Sequence, residues 1–221
     1  MAVRSSVGVT SCAGQAQTSL IIACGALVRE IQDVLSVNGL DSIEIAAIPA
    51  LYHNRPEKIV PAVEAHIEAA RRDRRFRRIF VAYADCGTGG DLDRLLARYR
   101  DVERLPGAHC YEFFSGVEAF SDRGDGDMTS FFLTDFLVRQ FDSIIIKGLG
   151  LDRHPELRDL YFAHYEKVVY LSQVPTETLL AKANAAAERL GLDFEHRPVG
   201  YGDLRCHLEK VFIEDGNNIV D

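Results

Sequence analysis

A chain of 221 residues is long enough for one large α/β domain or for two small lobes, and 47% hydrophobic residues suffice for a full core. The formal net charge of -8 argues against a protein whose main partner is nucleic acid. The sequence has no run of eighteen apolar residues, so it predicts no membrane span. Its five cysteines lack the density of a secreted disulfide scaffold, which predicts reduced thiols in a cytoplasmic protein.

Apolar runs alternate with segments of helical spacing along the chain. The first half predicts strands at 19–24, 43–48 and 79–84, and helices at 26–37, 59–70 and 92–99. Residues 106–114 are interpreted as a short strand or turn that leads through Ser115-Gly116 into a helix, followed by a charged loop at 122–127. The second half predicts helices at 131–141, 155–165, 177–190 and 203–212, and strands at 143–148, 167–171 and 194–199.

This alternation predicts an α/β fold with a mostly parallel sheet flanked by helices. The layers would be Rossmann-like, with two βα lobes as a variant of the same arrangement. We expect one domain over residues 19–213, between a flexible lead-in at 1–18 and a flexible tail at 214–221.

The segment Asp85-Cys86-Gly87-Thr88-Gly89-Gly90 lies between the third predicted strand and its helix. Gly87, Gly89 and Gly90 allow positive φ and close approach of the backbone to a ligand. A carboxylate and a thiol therefore meet a helix start at the end of a strand, where open α/β sheets place their sites.

Three cysteines lie at or near predicted strand ends: Cys24, Cys86 and Cys110, the last beside His109. The carboxyl ends of parallel strands share one edge of a sheet, so these side chains could converge there. Three thiolates and an imidazole, or three thiolates and an open position, suit zinc. The alternative is that Cys24 and Cys86 are small buried residues of the core.

Other polar residues follow predicted strands and are candidates for substrate binding. His53 and Arg55 lie in one such loop and Arg153 and His154 in another. Each arginine could hold a substrate carboxylate in a bidentate manner, or could form an internal ion pair. The glycine loops at 87–90 and 148–150 could bind an anion, but neither matches a nucleotide-binding motif.

Six arginines fall between residues 71 and 78. A solvated helix end is the ordinary interpretation, because cations are favoured at the negative pole of a helix dipole. The alternative is a docking patch for an acidic partner or a phosphate.

In several segments the sequence resembles the bacterial and archaeal family catalogued only as domain of unknown function 1638. The resembling segments are Cys24 to Leu27, His53 to Glu57, Asp85 to Gly90, His109 to Glu112, Leu133 to Leu137 and Gly148 to Leu157. They span the chain from residue 20 to about 200. The resemblance implies an association with corrinoid-dependent methyltransferase systems.

Methyl transfer to or from a corrinoid often uses a thiol that zinc keeps deprotonated. In that case Cys24, Cys86, Cys110 and His109 would hold the zinc, and Asp85 or Glu112 would orient a ligand. His154 would join Asp85 and Glu112 in catalysis, while His53, Arg55, Gly87, Gly89, Gly90 and Arg153 would bind substrate. The expected function is a zinc-dependent methyl-transfer enzyme that acts on a small molecule with a corrinoid protein. The alternatives are a non-catalytic adaptor of such a system and a metal-free anion-binding enzyme.

Overall fold

The computed structural model describes residues 18–40, 42–116 and 127–214. The predictions for the lead-in, for the helix after Ser115-Gly116, for most of the loop at 122–127 and for nearly all of the tail lie outside these residues. Within them, no helix combines the length and the apolarity that crossing a membrane would require.

Four parallel strands form the first sheet, in the order β2-β1-β3-β4. They are β1 (Thr18–Cys24), β2 (Glu44–Ile48), β3 (Phe76–Ala82) and β4 (Val102–Arg104). The two central strands are apolar in sequence because both of their faces are covered; Ile21, Ile22 and Val81 are completely buried. Each such side chain stabilises the fold by roughly 2 kcal/mol relative to an exposed one.

The helices that accompany this sheet are α1 (Val28–Val37), α2 (Ile59–Asp73), α3 (Asp91–Leu96) and α4 (Cys110–Ser115). Two short 3₁₀ turns, Ala50–Asn54 and Pro56–Lys58, lead from β2 into α2. The apolar stripe predicted for α2 faces the core, with Ile59, Val63 and Ile67 fully buried. We call residues 18–116 the first lobe.

Three parallel strands form the second sheet, in the order β5-β6-β7. They are β5 (Ser130–Thr134), β6 (Lys167–Ser172) and β7 (Asp193–Pro198), connected through α5 (Asp135–Arg139), α6 (Leu157–Tyr161) and α7 (Glu177–Leu190). We call residues 127–199 the second lobe. The α/β fold is confirmed, and its parallel strands are divided between two sheets.

The last helix, α8 (Gly202–Glu209), continues into a π-helical turn at Lys210–Glu214. It packs against the first lobe, because Leu204, Leu208 and Val211 belong to the same buried cluster as Ile21 and Ile31. The chain therefore leaves the first lobe, builds the second lobe and returns.

Two predictions in the second lobe are wrong. The apolar run at 131–141 was expected to be one helix, but it divides into β5 and α5, because the Thr134 hydroxyl caps the helix by accepting a bond from the Leu137 amide (3.4 Å). The run at 143–148 was expected to be a strand, but Asp142–Ile146 is a π-helical turn. Ile144, Ile145 and Ile146 are all buried in the helix-covered core of the second lobe, which explains their strand-like apolarity.

The fourth strand also lies earlier than expected. β4 occupies residues 102–104, whereas the segment interpreted as a strand or turn contains a turn and then α4. This correction places Cys110 at the start of a helix, directly after the turn.

Candidate functional site

A small cavity lies where the carboxyl ends of β1 and β3 meet the second lobe. Its volume is about 30 Å³, about twice the roughly 10–15 Å³ that one water molecule needs, so it has room for a small ion and one small ligand. Fifteen residues line it: Cys24, Ala26, Leu27, Ala50, His53, Tyr83, Ala84, Cys86, Cys110, Tyr111, Phe114, Thr134, Phe136, Leu137 and Ile144. The three cysteines expected to converge therefore face one space.

Cys24 is the last residue of β1 and is half-buried. Its carbonyl accepts a hydrogen bond from the Leu27 amide (2.8 Å), which turns the chain into α1. The next amide, that of Gly25, donates to the Ile48 carbonyl of the neighbouring strand (2.8 Å). A side chain at Gly25 would approach this carbonyl to 3.1 Å, so glycine lets the two strand ends stay close.

Cys86 is buried and adopts a left-handed conformation, with φ of 50°. This conformation costs a non-glycine residue roughly 1–2 kcal/mol. Two backbone hydrogen bonds hold the residue in place: the Asp85 amide donates to the Gly107 carbonyl (3.1 Å) and the Cys86 amide to the Ala108 carbonyl (2.8 Å). These bonds join the glycine loop to the turn that carries Cys110.

Cys110 begins α4, and Glu112 holds that beginning. The Glu112 carboxylate accepts a hydrogen bond from the Ala108 amide (2.8 Å), while the Glu112 amide donates to the His109 carbonyl (3.2 Å). A side chain at Gly107 would approach the Glu112 carboxylate to 2.6 Å, so the turn packs closely around it. Glu112 thus supports the segment that carries Cys110 and does not line the cavity.

The three thiols are close enough for their charges to interact. Burial, and then the neighbouring Cys24, raise the pKa of Cys86 to about 12. Burial, Cys86 and Cys24 raise the pKa of Cys110 well above its ordinary value, and burial raises the pKa of Cys24. All three are free cysteines, and without a cation they are neutral thiols at pH 7.

The glycine loop already contains an anion of its own. The Asp85 carboxylate accepts hydrogen bonds from the Thr88 hydroxyl (2.6 Å) and from the amides of Gly89 (3.0 Å) and Gly90 (2.8 Å). Burial opposes ionisation, but these bonds lower the pKa of Asp85. The Gly89 and Gly90 amides are therefore engaged within the chain, and Asp85 fixes the loop behind Cys86.

Gly87 borders a different space, an open groove of about 740 Å³ between the loop after Arg55 and α3. Its walls carry both signs of charge, since Glu57 and Asp91 accompany Arg94 and Arg98. Arg94 pairs with Asp91, and Arg98 pairs with Glu64 (2.5 Å).

Two imidazoles lie near the thiols. His53 lines the cavity from the 3₁₀ turn after β2. Part of the residue is exposed to solvent, but burial on the cavity side, and then the charge of His109, lowers the pKa of His53. Asn54 fastens this turn to the second lobe through a hydrogen bond to the Ile144 carbonyl (2.9 Å). His109 precedes Cys110, and its ring contacts Tyr111 with centroids 5.4 Å apart. His53 therefore joins the set of candidate ligands, although the sequence suggested a substrate contact for it.

The remaining predicted site residues lie outside the cavity wall. Arg55 is exposed. Arg153 is exposed, and its Nε lies 3.9 Å from Oδ1 of Asp152. His154 is also exposed, and its Nδ1 lies 3.3 Å from Oε1 of Glu156. Their roles in substrate binding and catalysis stay predictions.

Tyr83 lines the cavity and was not among the residues selected from the sequence. It is 2% exposed, and its buried hydroxyl makes no hydrogen bond of ordinary geometry; Cys24 is the side chain that interacts with it. In the sequence it looks like one more apolar residue of the strand at 79–84. Only the three-dimensional structure shows that its hydroxyl points to the thiols.

Half of the arginine run is engaged within the chain. Arg71 pairs with Asp101 (2.5 Å), Arg75 with Asp73 (2.6 Å) and Glu44, and Arg78 donates to the Val211 carbonyl. Arg72, Arg74 and Arg77 are exposed. The run begins in the last turn of α2 and continues into β3. Arg74, the residue directly after α2, has a left-handed conformation.

Among the residues that the structure describes, no three His, Cys, Asp or Glu side chains stand in the geometry of a metal site. Comparisons with curated proteins and with solved structures found no match. A family model does match, over residues 47–208, a range that includes His53, Cys86 and Cys110 and begins after Cys24. The chain belongs to this family, which is described as a protein of unknown function (DUF1638).

Proposed function

We propose that the protein is a metal-dependent enzyme whose cavity holds a thiophilic ion, zinc above all, between Cys24, Cys86 and Cys110. The observation that carries the proposal is that thiols from three separate segments face one cavity of about 30 Å³. An imidazole, from His53 in the wall or from His109 beside Cys110, would supply a fourth donor. Sulfur and imidazole are the donors that zinc prefers in proteins.

The donor set fits zinc by its chemistry, and it would need to tighten to hold the ion. The side chains do not stand in coordinating positions, so rotation of the thiols toward the cavity centre would have to accompany binding. Binding would also release protons, because burial keeps the three thiols neutral in the absence of a cation. Rotation and deprotonation are both feasible for cysteine side chains, which are small and here lie near strand ends and at the start of a helix.

A methyl-transfer reaction with a corrinoid protein is the activity that we propose for this site. Zinc supplies a thiolate that stays deprotonated and nucleophilic at neutral pH. Ala84, Phe114 and Leu137 give the cavity an apolar wall, which suits a group as small as a methyl. The corrinoid partner is an expectation from the family resemblance, and a cytoplasmic location is an expectation from the cysteine content.

The alternative enzyme, a metal-free site that binds an anion on the glycine loop, is less well supported. Asp85 occupies the Gly89 and Gly90 amides, and it would have to leave before an external anion could bind there. A metal-free thiol nucleophile is also disfavoured, because burial raises the pKa of Cys86 to about 12.

Metal analysis of protein purified without a metal-affinity tag tests the proposal. We expect close to one zinc per chain in the wild type, and loss of this metal in Cys86→Ser and Cys110→Ser. Cys206→Ser is the matched control, since Cys206 is an exposed thiol on α8 outside the cavity. Circular dichroism would establish that each variant is folded.

An absence of near-stoichiometric transition metal in the wild type would refute the metal-dependent enzyme. Retention of the metal in both cavity variants would place the ion elsewhere. Loss of metal in Cys86→Ser with unchanged function in a corrinoid pathway would favour the adaptor.

A further inference from the structure

The metal proposal does not account for the hydroxyl of Tyr83, which lines the cavity. Tyr83 follows β3, its side chain is 2% exposed, and its hydroxyl is among the buried atoms that lack a hydrogen-bond partner. A buried hydroxyl without a partner costs about 1–3 kcal/mol. The fold retains this cost at a place where the side chain faces the thiols and His53.

Phenylalanine would fill the same volume without that cost. The neighbours of Tyr83 along the strand, Ala82 and Ala84, are completely buried, so the position lies in the core. The Cys24 thiol interacts with the hydroxyl, but the sulfur of a neutral thiol is a weak acceptor and does not replace a full hydrogen bond. The hydroxyl therefore has a donor available toward the interior of the cavity.

We propose that the Tyr83 hydroxyl binds the exchangeable ligand of the thiol site by donating a hydrogen bond to it. This inference rests on the proposed metal site. The ligand class is a small molecule or anion that presents an oxygen or nitrogen acceptor, since about 30 Å³ excludes larger groups. Tyr83 would hold that acceptor while the apolar side chains around it exclude bulk water.

The competing assignment is that Tyr83 only supports Cys24, which would become a strong acceptor as a thiolate. The two assignments differ in what the hydroxyl stabilises. A bond to the ligand affects the affinity for the ligand, whereas a bond to Cys24 affects the affinity for the metal and the sulfur-to-metal absorption.

Cobalt-substituted protein separates them, because Co²⁺ takes the place of zinc and its visible absorption reports on coordination. Azide serves as the probe ligand, and its dissociation constant is measured by spectral titration of the wild type, Tyr83→Phe and Tyr52→Phe. Tyr52 is the matched control: it is a half-buried tyrosine close enough to Tyr83 to affect its pKa, and it does not line the cavity. Each protein's Co²⁺ content and affinity are measured first.

We expect Tyr83→Phe to bind Co²⁺ as the wild type does, with an unchanged spectrum before azide is added, and to bind azide about tenfold more weakly. Tyr52→Phe should match the wild type in both. Equal azide affinity in Tyr83→Phe and wild type would overturn the inference, as would a shifted sulfur-to-metal band or loss of Co²⁺ in that variant. Failure of the wild type to bind Co²⁺ would overturn the proposed function and this inference together, and so is distinguishable from a failure confined to Tyr83→Phe.

Discussion

At the carboxyl end of β5, in the second lobe, Asp135 is 1% exposed and its carboxylate accepts four hydrogen bonds. The donors are the Tyr170 hydroxyl (2.6 Å), the amides of Gln173 (3.1 Å) and Val174 (3.0 Å), and Arg139 (3.4 Å). At the carboxyl edge of the first sheet, the thiols of Cys24 and Cys86 and the hydroxyl of Tyr83 surround a cavity instead. Both edges bury polar groups beyond the ends of parallel strands. The Asp135 carboxylate is satisfied from within the chain, whereas the Tyr83 hydroxyl is not.

The difference separates a hydrogen-bonded cluster that stabilises the fold from the binding site that we propose. Burial of a polar group is costly unless a partner is present, and Asp135 has partners from several segments. Its hydrogen bonds tie β5 to the end of β6 and leave no atom free for a ligand. The thiols are weak hydrogen-bonding groups, and the cavity between them is the place where we propose that an ion binds.

The largest expected effect on stability concerns Asp135, at the carboxyl edge of the second sheet. Asp135→Ala should lower the free energy of unfolding by about 3–5 kcal/mol, because it leaves the Tyr170 hydroxyl and the Gln173 amide buried, and the Val174 amide part-buried, without an acceptor. Urea denaturation measures this, with Asp142→Ala as the control. Asp142 is an exposed carboxylate that pairs with Arg189 (2.5 Å), and its loss should cost below about 1 kcal/mol. Similar values for the two variants would remove the distinction between the edges.

Alkaline pH should destabilise the metal-free protein through the buried thiols at the carboxyl edge of the first sheet. The pKa of Cys86 in the folded protein is about 12, above the value of about 8.5 for a free thiol. Because the pKa is higher in the folded protein, the neutral thiol contributes to the free energy of unfolding. This contribution is fully present below pH 8.5 and is lost as the pH rises toward 12. Metal-free protein should therefore lose up to about 1.4 kcal/mol per pH unit for each such thiol in this window. Urea unfolding at pH 7 to 10.5 measures the slope, which Cys86→Ala should reduce and Cys206→Ala should leave unchanged.

The smallest effect concerns the backbone. Because Cys86 has φ of 50°, Cys86→Gly should be more stable than Cys86→Ala by about 0.5–1 kcal/mol. At Cys24, which is not among the positive-φ residues, the same comparison should have the opposite sign. Four urea denaturation curves decide this. A Cys86→Ala variant as stable as Cys86→Gly, or more stable, would show that the conformation of Cys86 stores no strain.

Much of the first lobe could be predicted from the sequence. The runs ending at Cys24 and Ala84 are strands or strand ends, since a parallel strand covered on both faces is continuously apolar. The run ending at Ile48 is also a strand, although it lies at the edge of the sheet and is mostly half-buried. The rule that parallel strands end at one edge predicted that Cys24 and Cys86 lie close together. Cys110 reaches the same cavity from the start of a helix, which that rule does not explain.

The second lobe was harder, because short apolar runs do not reveal their period. Phe131 to Phe141 contains both a strand and a helix, and the isoleucines at 144–146 pack as a buried helical turn. Tyr83 could not be selected either. The missing partner of its hydroxyl is a property of the space around it, to which the second lobe contributes Thr134, Phe136, Leu137 and Ile144.

The return of α8 to the first lobe has a consequence for biosynthesis. Leu204, Leu208 and Val211 complete a core whose other members, such as Ile21 and Ile31, are made almost two hundred residues earlier. During synthesis that core must wait, partly uncovered, until residues 204–211 have left the ribosome. The second lobe has its own buried cluster between residues 133 and 190 and depends less on residues that are synthesised later. The lobe synthesised first is therefore the one whose packing is finished last.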